Sequence, residues 1–247
     1  TGIFYILQDS LLFDGPSPKD VRERSGLSRV QRYHIQVNDD LLNGWYIQPS
    51  TDKPKGILLY FGGNTENIDS VVHMARKINN VIIVSMHYRG YGLSTGRTSE
   101  KNLFSDALAI YDDLKLKHPD LPIAVLGRSL GSGVAAYLAS KRDVKVLGLL
   151  TPYDSIEAVA KRHYRWLPIK FLLKHKFNSV LHTKDIKSKS YVVFAENDKL
   201  IPEVHARALF DALPVNKSWI TLDNVGHSDV HTHVGYYPFL QNMIAEL

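Results

Sequence analysis

Short apolar runs, four to eight residues long and almost free of polar positions, recur along this chain between stretches of helical spacing. Gly56 to Phe61, Val81 to Ser85, Pro122 to Leu126, Val144 to Thr151, Tyr191 to Ala195 and Trp219 to Leu222 are such runs. Uninterrupted apolar segments of that length are what parallel strands covered on both faces present. Helical patterns lie between them: Ile68 to Ile78, Ser99 to Lys117, Gly133 to Ser140, Pro202 to Leu213 and Tyr236 to Leu247. In the second of these, Leu103, Ala107, Ile110 and Leu114 share one face, and Ser99 before Glu100 is a good helix start. Upstream, His34 to Gln36 and Gly44 to Gln48 flank Asn38-Asp39-Asp40 and predict a hairpin. Strands alternating with helices predict an α/β fold, with a mostly parallel central sheet flanked by helices.

Two stretches do not fit the alternation. Residues 1–29 predict a surface lead-in with a turn at Gly15-Pro16-Ser17-Pro18, and Gly2 to Leu7 has the look of a stub of something longer upstream. Residues 152–181 are irregular, helical and basic, which predicts a small cap inserted into one domain spanning 1–247. No internal repeat or linker interrupts the chain.

Composition narrows the classes without choosing among them. The chain has 247 residues, 44% hydrophobic and 22% charged, as an ordinary globular protein does. Its net charge of +5 is spread out except for an excess between Lys161 and Lys189, which would suit an anionic membrane surface, an acidic substrate or simply solvent. No arginine-rich tract, zinc-finger spacing or stacking-aromatic signature points to nucleic acid. With no cysteine, disulfide and thiolate chemistry are excluded.

The stretch that carries chemistry is Gly127-Arg128-Ser129-Leu130-Gly131. It follows an apolar run and opens a small-residue helix, the context a nucleophile elbow requires. The serine must sit on a strained turn, and a side chain two residues to either side would strike the neighbouring strand or helix. A serine hydroxyl needs a base to take its proton and a third group to hold that base. Asp198, in Asn197-Asp198-Lys199-Leu200-Ile201-Pro202, and His227, in Gly226-His227-Ser228-Asp229, each fall in a loop after a predicted strand. Their chain order, serine then acid then histidine, suits a sheet of this kind. The oxyanion donors are expected to be the Leu130 amide and one from the loop Phe61-Gly62-Gly63-Asn64, with Gly63 preferred and Asn64 next. Asp154 and Glu196 are rival acids, and His227, Asp229, His231 and His233 form an alternative metal-ligand pattern. His87 and Arg89 are expected to be structural.

Taken together, Tyr60-Phe61-Gly62-Gly63-Asn64, Tyr88-Arg89-Gly90-Tyr91-Gly92, Gly127 to Val134, Asn197-Asp198 with Ile201-Pro202, and Gly226-His227 resemble the α/β-hydrolase superfamily. Within it they are most similar to the Bem46-type (ABHD13/ABHD17-like) serine hydrolases. The family's frequent His-Gly-Asn is replaced in the first loop by a sequence without histidine. The resemblance implies a Ser129–His227–Asp198 triad, oxyanion amides at Leu130 and Gly63, no cofactor, and hydrolysis of an acyl ester or thioester. A peptidase, an acyltransferase or a non-catalytic binding member of the fold are the other readings. Gln8 to Phe13 is similar to the family's lead-in, which commonly follows an N-terminal membrane anchor.

Overall fold

The central apolar runs become strands buried on both faces: in β3 (Ile57–Phe61) every residue is buried, while the Trp219–Leu222 run forms an edge strand that is only partly covered. A computed structural model describes residues 8, 12–15 and 28–247. Most of the lead-in expected over 1–29, its turn beyond Gly15 and most of the 8–13 match lie outside the described residues. The hairpin is longer than its sequence pattern suggested: β1 (Val30–Val37) and β2 (Asp40–Ile47) pair antiparallel with Val37 opposite Asp40. Asn38 takes φ +54° in the turn, a conformation asparagine tolerates better than most residues.

The remaining elements follow in alternation. They are α1 (Ser70–Lys77), β4 (Ile82–Met86), α2 (Glu100–Lys117), β5 (Ile123–Arg128), α3 (Leu130–Lys141) and β6 (Val146–Leu150). Three short helices then occupy the irregular stretch, α4 (Ile156–His163), α5 (Ile169–Leu172) and α6 (Val180–Thr183). The chain continues through β7 (Lys189–Ala195), α7 (Glu203–Ala212), β8 (Lys217–Leu222) and α8 (Tyr236–Ala245). The Ser99 hydroxyl caps α2 by accepting from the Asn102 amide at 3.1 Å, a contact worth about 1 kcal/mol.

One eight-stranded sheet results, in the order β1-β2-β4-β3-β5-β6-β7-β8, parallel from β4 to β8. Side chains alternate between two cores. Ile57, Leu59 and Phe61 join Leu103, Ala107 and Ile110 of α2 on one face. Leu58 and Tyr60 join Val71 and Val72 of α1 and Leu240 and Met243 of α8 on the other. Each such aliphatic side chain contributes roughly 1.5–3 kcal/mol on full burial. The chain reverses direction across the sheet between β3 and β5, and the crevice outside the strand ends at such a reversal is where ligands gather.

The 152–181 segment is tied back at a few points. Glu100, at the start of α2, accepts from the Lys176 amide at 2.8 Å and the Phe177 amide at 3.0 Å. His163 Nε2 meets the Leu200 carbonyl at 2.8 Å. Gln8 donates to the Leu172 carbonyl and accepts from the Lys174 amide.

Candidate active site

Strand β5 runs straight into α3, and Ser129 is the pivot, with φ +49° and ψ −118°. A non-glycine residue held at positive φ costs on the order of 1–3 kcal/mol, which the surrounding packing must supply. That packing is visible at the flanking glycines. A Cβ on Gly127 would overlap the Gly131 carbonyl and Ala135, and one on Gly131 would overlap the Phe61 carbonyl of β3. The turn is therefore wedged between helix and neighbouring strand.

The three loop positions meet. His227 Nε2 lies 2.9 Å from Ser129 Oγ, and His227 Nδ1 lies 2.7 Å from Asp198 Oδ2. Asp198 is buried, and its other oxygen accepts from the Leu200 amide at 2.9 Å and the Ile201 amide at 2.7 Å. Those two amides fix the carboxylate so that one oxygen faces the imidazole. With the Nδ1 proton directed at Asp198, Nε2 is left to accept from the serine hydroxyl. The rivals are engaged elsewhere. Asp154 Oδ1 meets His205 Nδ1 at 2.9 Å, and Glu196 accepts from the Asn224 amide at 2.9 Å. Asp229 accepts from the Gly226 amide and His233 Nε2 meets Asp223, and no metal-ligand cluster of three such groups occurs among the described residues.

A cavity of about 470 Å³ opens over Ser129. Ile156, Val159, Ala160 and His163 line it, spaced three, four and seven residues along α4. That spacing puts them on one face of the helix. Leu12, Asn64, Leu130, Tyr153, Tyr164, Leu200 and Ile201 complete the lining. An apolar chamber ending at a hydroxyl and an imidazole can seat a greasy group beside a reacting carbonyl.

Known proteins share this arrangement of the chain. The family profile described as serine aminopeptidase, S33, matches residues 52–151. The uncharacterized protein Rv2307c of Mycobacterium tuberculosis is 30% identical over 200 residues, covering 79% of this chain and 71% of that protein. The lysophosphatidylserine lipase ABHD12 of Mus musculus is 28% identical over 251 residues, covering 85% of this chain and 63% of its own length. The Pyrococcus furiosus esterase Pf2001 superposes with a TM-score of 0.72 at 17% identity, over 94% of each chain. The chain belongs to the α/β-hydrolase superfamily.

In this α/β hydrolase a largely buried ion pair stands behind the serine, and sequence reading missed it. Arg128 Nη1 donates to Glu66 Oε2 at 2.8 Å, and Arg128 Nη2 donates to the His227 carbonyl at 3.0 Å. Glu66 Oε1 accepts from the Tyr60 and Ser70 hydroxyls. Burial works to raise the Glu66 pKa, but Arg128, the Gly63 amide and Tyr60 outweigh it, and the net shift is downward. The carboxylate is thus charged, and through Arg128 it ties the loop after β3 to the loop bearing His227. A signal was present: an arginine inside an otherwise apolar strand end demands a buried acid.

The same carboxylate reaches one expected oxyanion donor. The Gly63 amide donates to Glu66 Oε2 at 2.9 Å, a contact that competes with that role. Asn64, the next residue, lines the cavity with Ser129 and Leu130, its side chain held by Tyr91 at 2.6 Å. Leu130 is the first residue of α3, where the amide has no carbonyl partner within its own helix. Arg89 and His87 are buried away from this chemistry: Arg89 pairs with Asp106 and Asp40, and burial pushes the His87 pKa down.

Proposed function

We propose that this α/β hydrolase cleaves a carboxylic ester or thioester of an apolar acyl group through an acyl-enzyme, with Ser129, His227 and Asp198 as its triad. The observation that carries the reading is the continuous hydrogen-bonded chain Asp198–His227–Ser129 ending in a mostly apolar cavity. His227 Nε2 takes the Ser129 proton as Oγ attacks the carbonyl carbon, and Asp198 balances the imidazolium that forms. The oxyanion is held by the Leu130 amide, at the positive end of α3, and by the Asn64 amide. Collapse of the tetrahedral adduct breaks the bond to the alcohol or thiol, which leaves with the proton from His227. Water, deprotonated by His227, then attacks the acyl-serine and releases the acid.

The 152–181 segment acts as the cap of a single domain, with α4 as a wall of the acyl site. No step calls for a cofactor. The matched profile is described as an aminopeptidase, which keeps peptide cleavage as the second reading. The lining of α4 side chains, and a relative named as a lipase, weigh toward esters.

Hydrolysis of 4-nitrophenyl esters from acetate to palmitate, by wild type and Ser129→Ala, tests the proposal. Turnover should fall by about ten-thousandfold or more in the variant. Serine-independent turnover, or cleavage of peptides in place of every ester, would overturn it.

A further inference from the structure

The outer surface of α4 and the residues after it have chemistry that the acyl site does not use. Every residue from Lys161 to Trp166 is exposed. Trp166 is 79% exposed and Phe171 82%, and Tyr164 and Leu200 at the cavity lining are 46% and 53% exposed. Isolated exposed apolar residues need no explanation, but two large aromatics five positions apart on a basic segment do. From Lys161 to Lys176 there are six lysines and arginines and no acid. Arg162, Arg165 and Lys170 are near the aromatics in sequence and are exposed. Glu157 is the nearest acid in sequence, and it is taken by Lys161 and by Lys176.

We infer that this segment is a docking surface for an anionic lipid bilayer. Tryptophan and phenylalanine settle at the boundary between headgroups and acyl chains, while arginine and lysine meet lipid phosphates and carboxylates. Charge complementarity selects the partner: a segment this one-sided in charge is matched by a surface uniformly of the opposite sign. Placement gives the surface a use. Helix α4 turns Ile156, Val159 and Ala160 into the cavity, and Arg162 and Trp166 follow directly on the outside. A bilayer held against Trp166 would sit next to Tyr164 and Leu200 at the cavity, so an acyl chain could leave the lipid and enter with little crossing of water. The docking stands whether or not Ser129 is the nucleophile. Only its purpose, delivery of an acyl chain, rests on the hydrolase reading.

The test is co-sedimentation of the whole chain with vesicles of phosphatidylcholine alone and of equimolar phosphatidylcholine and phosphatidylserine. Wild type and Ser129→Ala should both pellet with the anionic vesicles, remain largely in solution with the neutral ones, and be released by salt. Each basic side chain near an anionic surface raises partitioning by about fivefold, so Arg162→Gln with Arg165→Gln should weaken binding roughly twenty-five-fold. Trp166→Ser with Phe171→Ser should also abolish pelleting, with an unchanged melting midpoint showing that the fold is intact. Equal pelleting with neutral vesicles, or full pelleting of both double variants, would overturn the inference. So would a wild type that ignores anionic vesicles, which would point instead to a protein partner for this face.

Discussion

Arg128→Met removes the guanidinium that joins Glu66 to the His227 loop, and its cost follows from the geometry. The two side chains are only 16% and 12% exposed and meet at 2.8 Å. Removing one member of a buried pair costs about 3–5 kcal/mol, because the partner is left charged in a poor solvent. Glu66 keeps three other donors, Gly63, Tyr60 and Ser70, so the lower end of that range applies. For a chain of this size about 3 kcal/mol lowers the melting midpoint by roughly 6–12 °C. Neutralising the acid as well, in Glu66→Gln with Arg128→Met, removes the orphaned charge. The double variant should therefore be more stable than the sum of the single losses implies, by about 1–3 kcal/mol of coupling. Activity reads a second quantity. Loss of the bond from Arg128 to the His227 carbonyl frees the base by a fraction of an ångström, which at reacting distances lowers kcat by about ten- to a hundredfold with little effect on KM. Urea titration followed by tryptophan fluorescence, with ester kinetics on the same four proteins, measures both. Additive stabilities in the cycle, or kcat unaltered in Arg128→Met, would refute the reasoning.

Other outcomes follow from the same geometry. Asp198→Asn should keep the fold but lower kcat/KM by about ten-thousandfold, since an amide cannot balance the imidazolium; an active variant would put the acid elsewhere. Gly131→Ala should fail to fold or lose most of its stability, because its Cβ would overlap the Phe61 carbonyl, whereas Gly63→Ala, whose nearest neighbours would be 3.6 Å away, should melt within a few degrees of wild type. Glu66 and His87 both have lowered pKa values in the fold, so the unfolded chain binds more protons than the native one. Stability from His87 is full above its ordinary pKa of 6.5 and that from Glu66 above 4.5, each being lost as pH falls from there through the lowered folded value. His182, also lowered by burial, adds to the first stage. Urea midpoints should be level above neutrality and decline in two stages on acidification, with His87→Asn making the first stage smaller.

Strands β3 to β7 were legible because burial on both faces writes itself as uninterrupted apolar runs, and α2 because Ser99 and its apolar stripe mark both its start and its inner face. The order in which strands lie side by side was not: β4 sits between β2 and β3, a pairing that no local pattern encodes. Within the site, chain order picked out Ser129, Asp198 and His227, with the imidazole now within hydrogen-bond distance of both the hydroxyl and the carboxylate. The choice between Gly63 and Asn64 was beyond sequence reasoning, because it turns on where a carboxylate three residues later is pointed. That carboxylate is in turn aimed by an arginine 62 positions away.

The proposed reacting groups and the walls around them are hung on different parts of the chain. Ser129, Asp198 and His227 follow the ends of β5, β7 and β8, and around Ser129 tight backbone contacts leave almost no choice of residue at Gly127 and Gly131. Much of the chamber wall is lent by α4, a helix without a single buried residue, in a segment tethered through Glu100, His163 and Gln8. The two can therefore be inherited separately. A segment borrowed from a cousin and spliced in after β6 would carry a new appetite for chain length, while the hydroxyl, imidazole and carboxylate went on working as before.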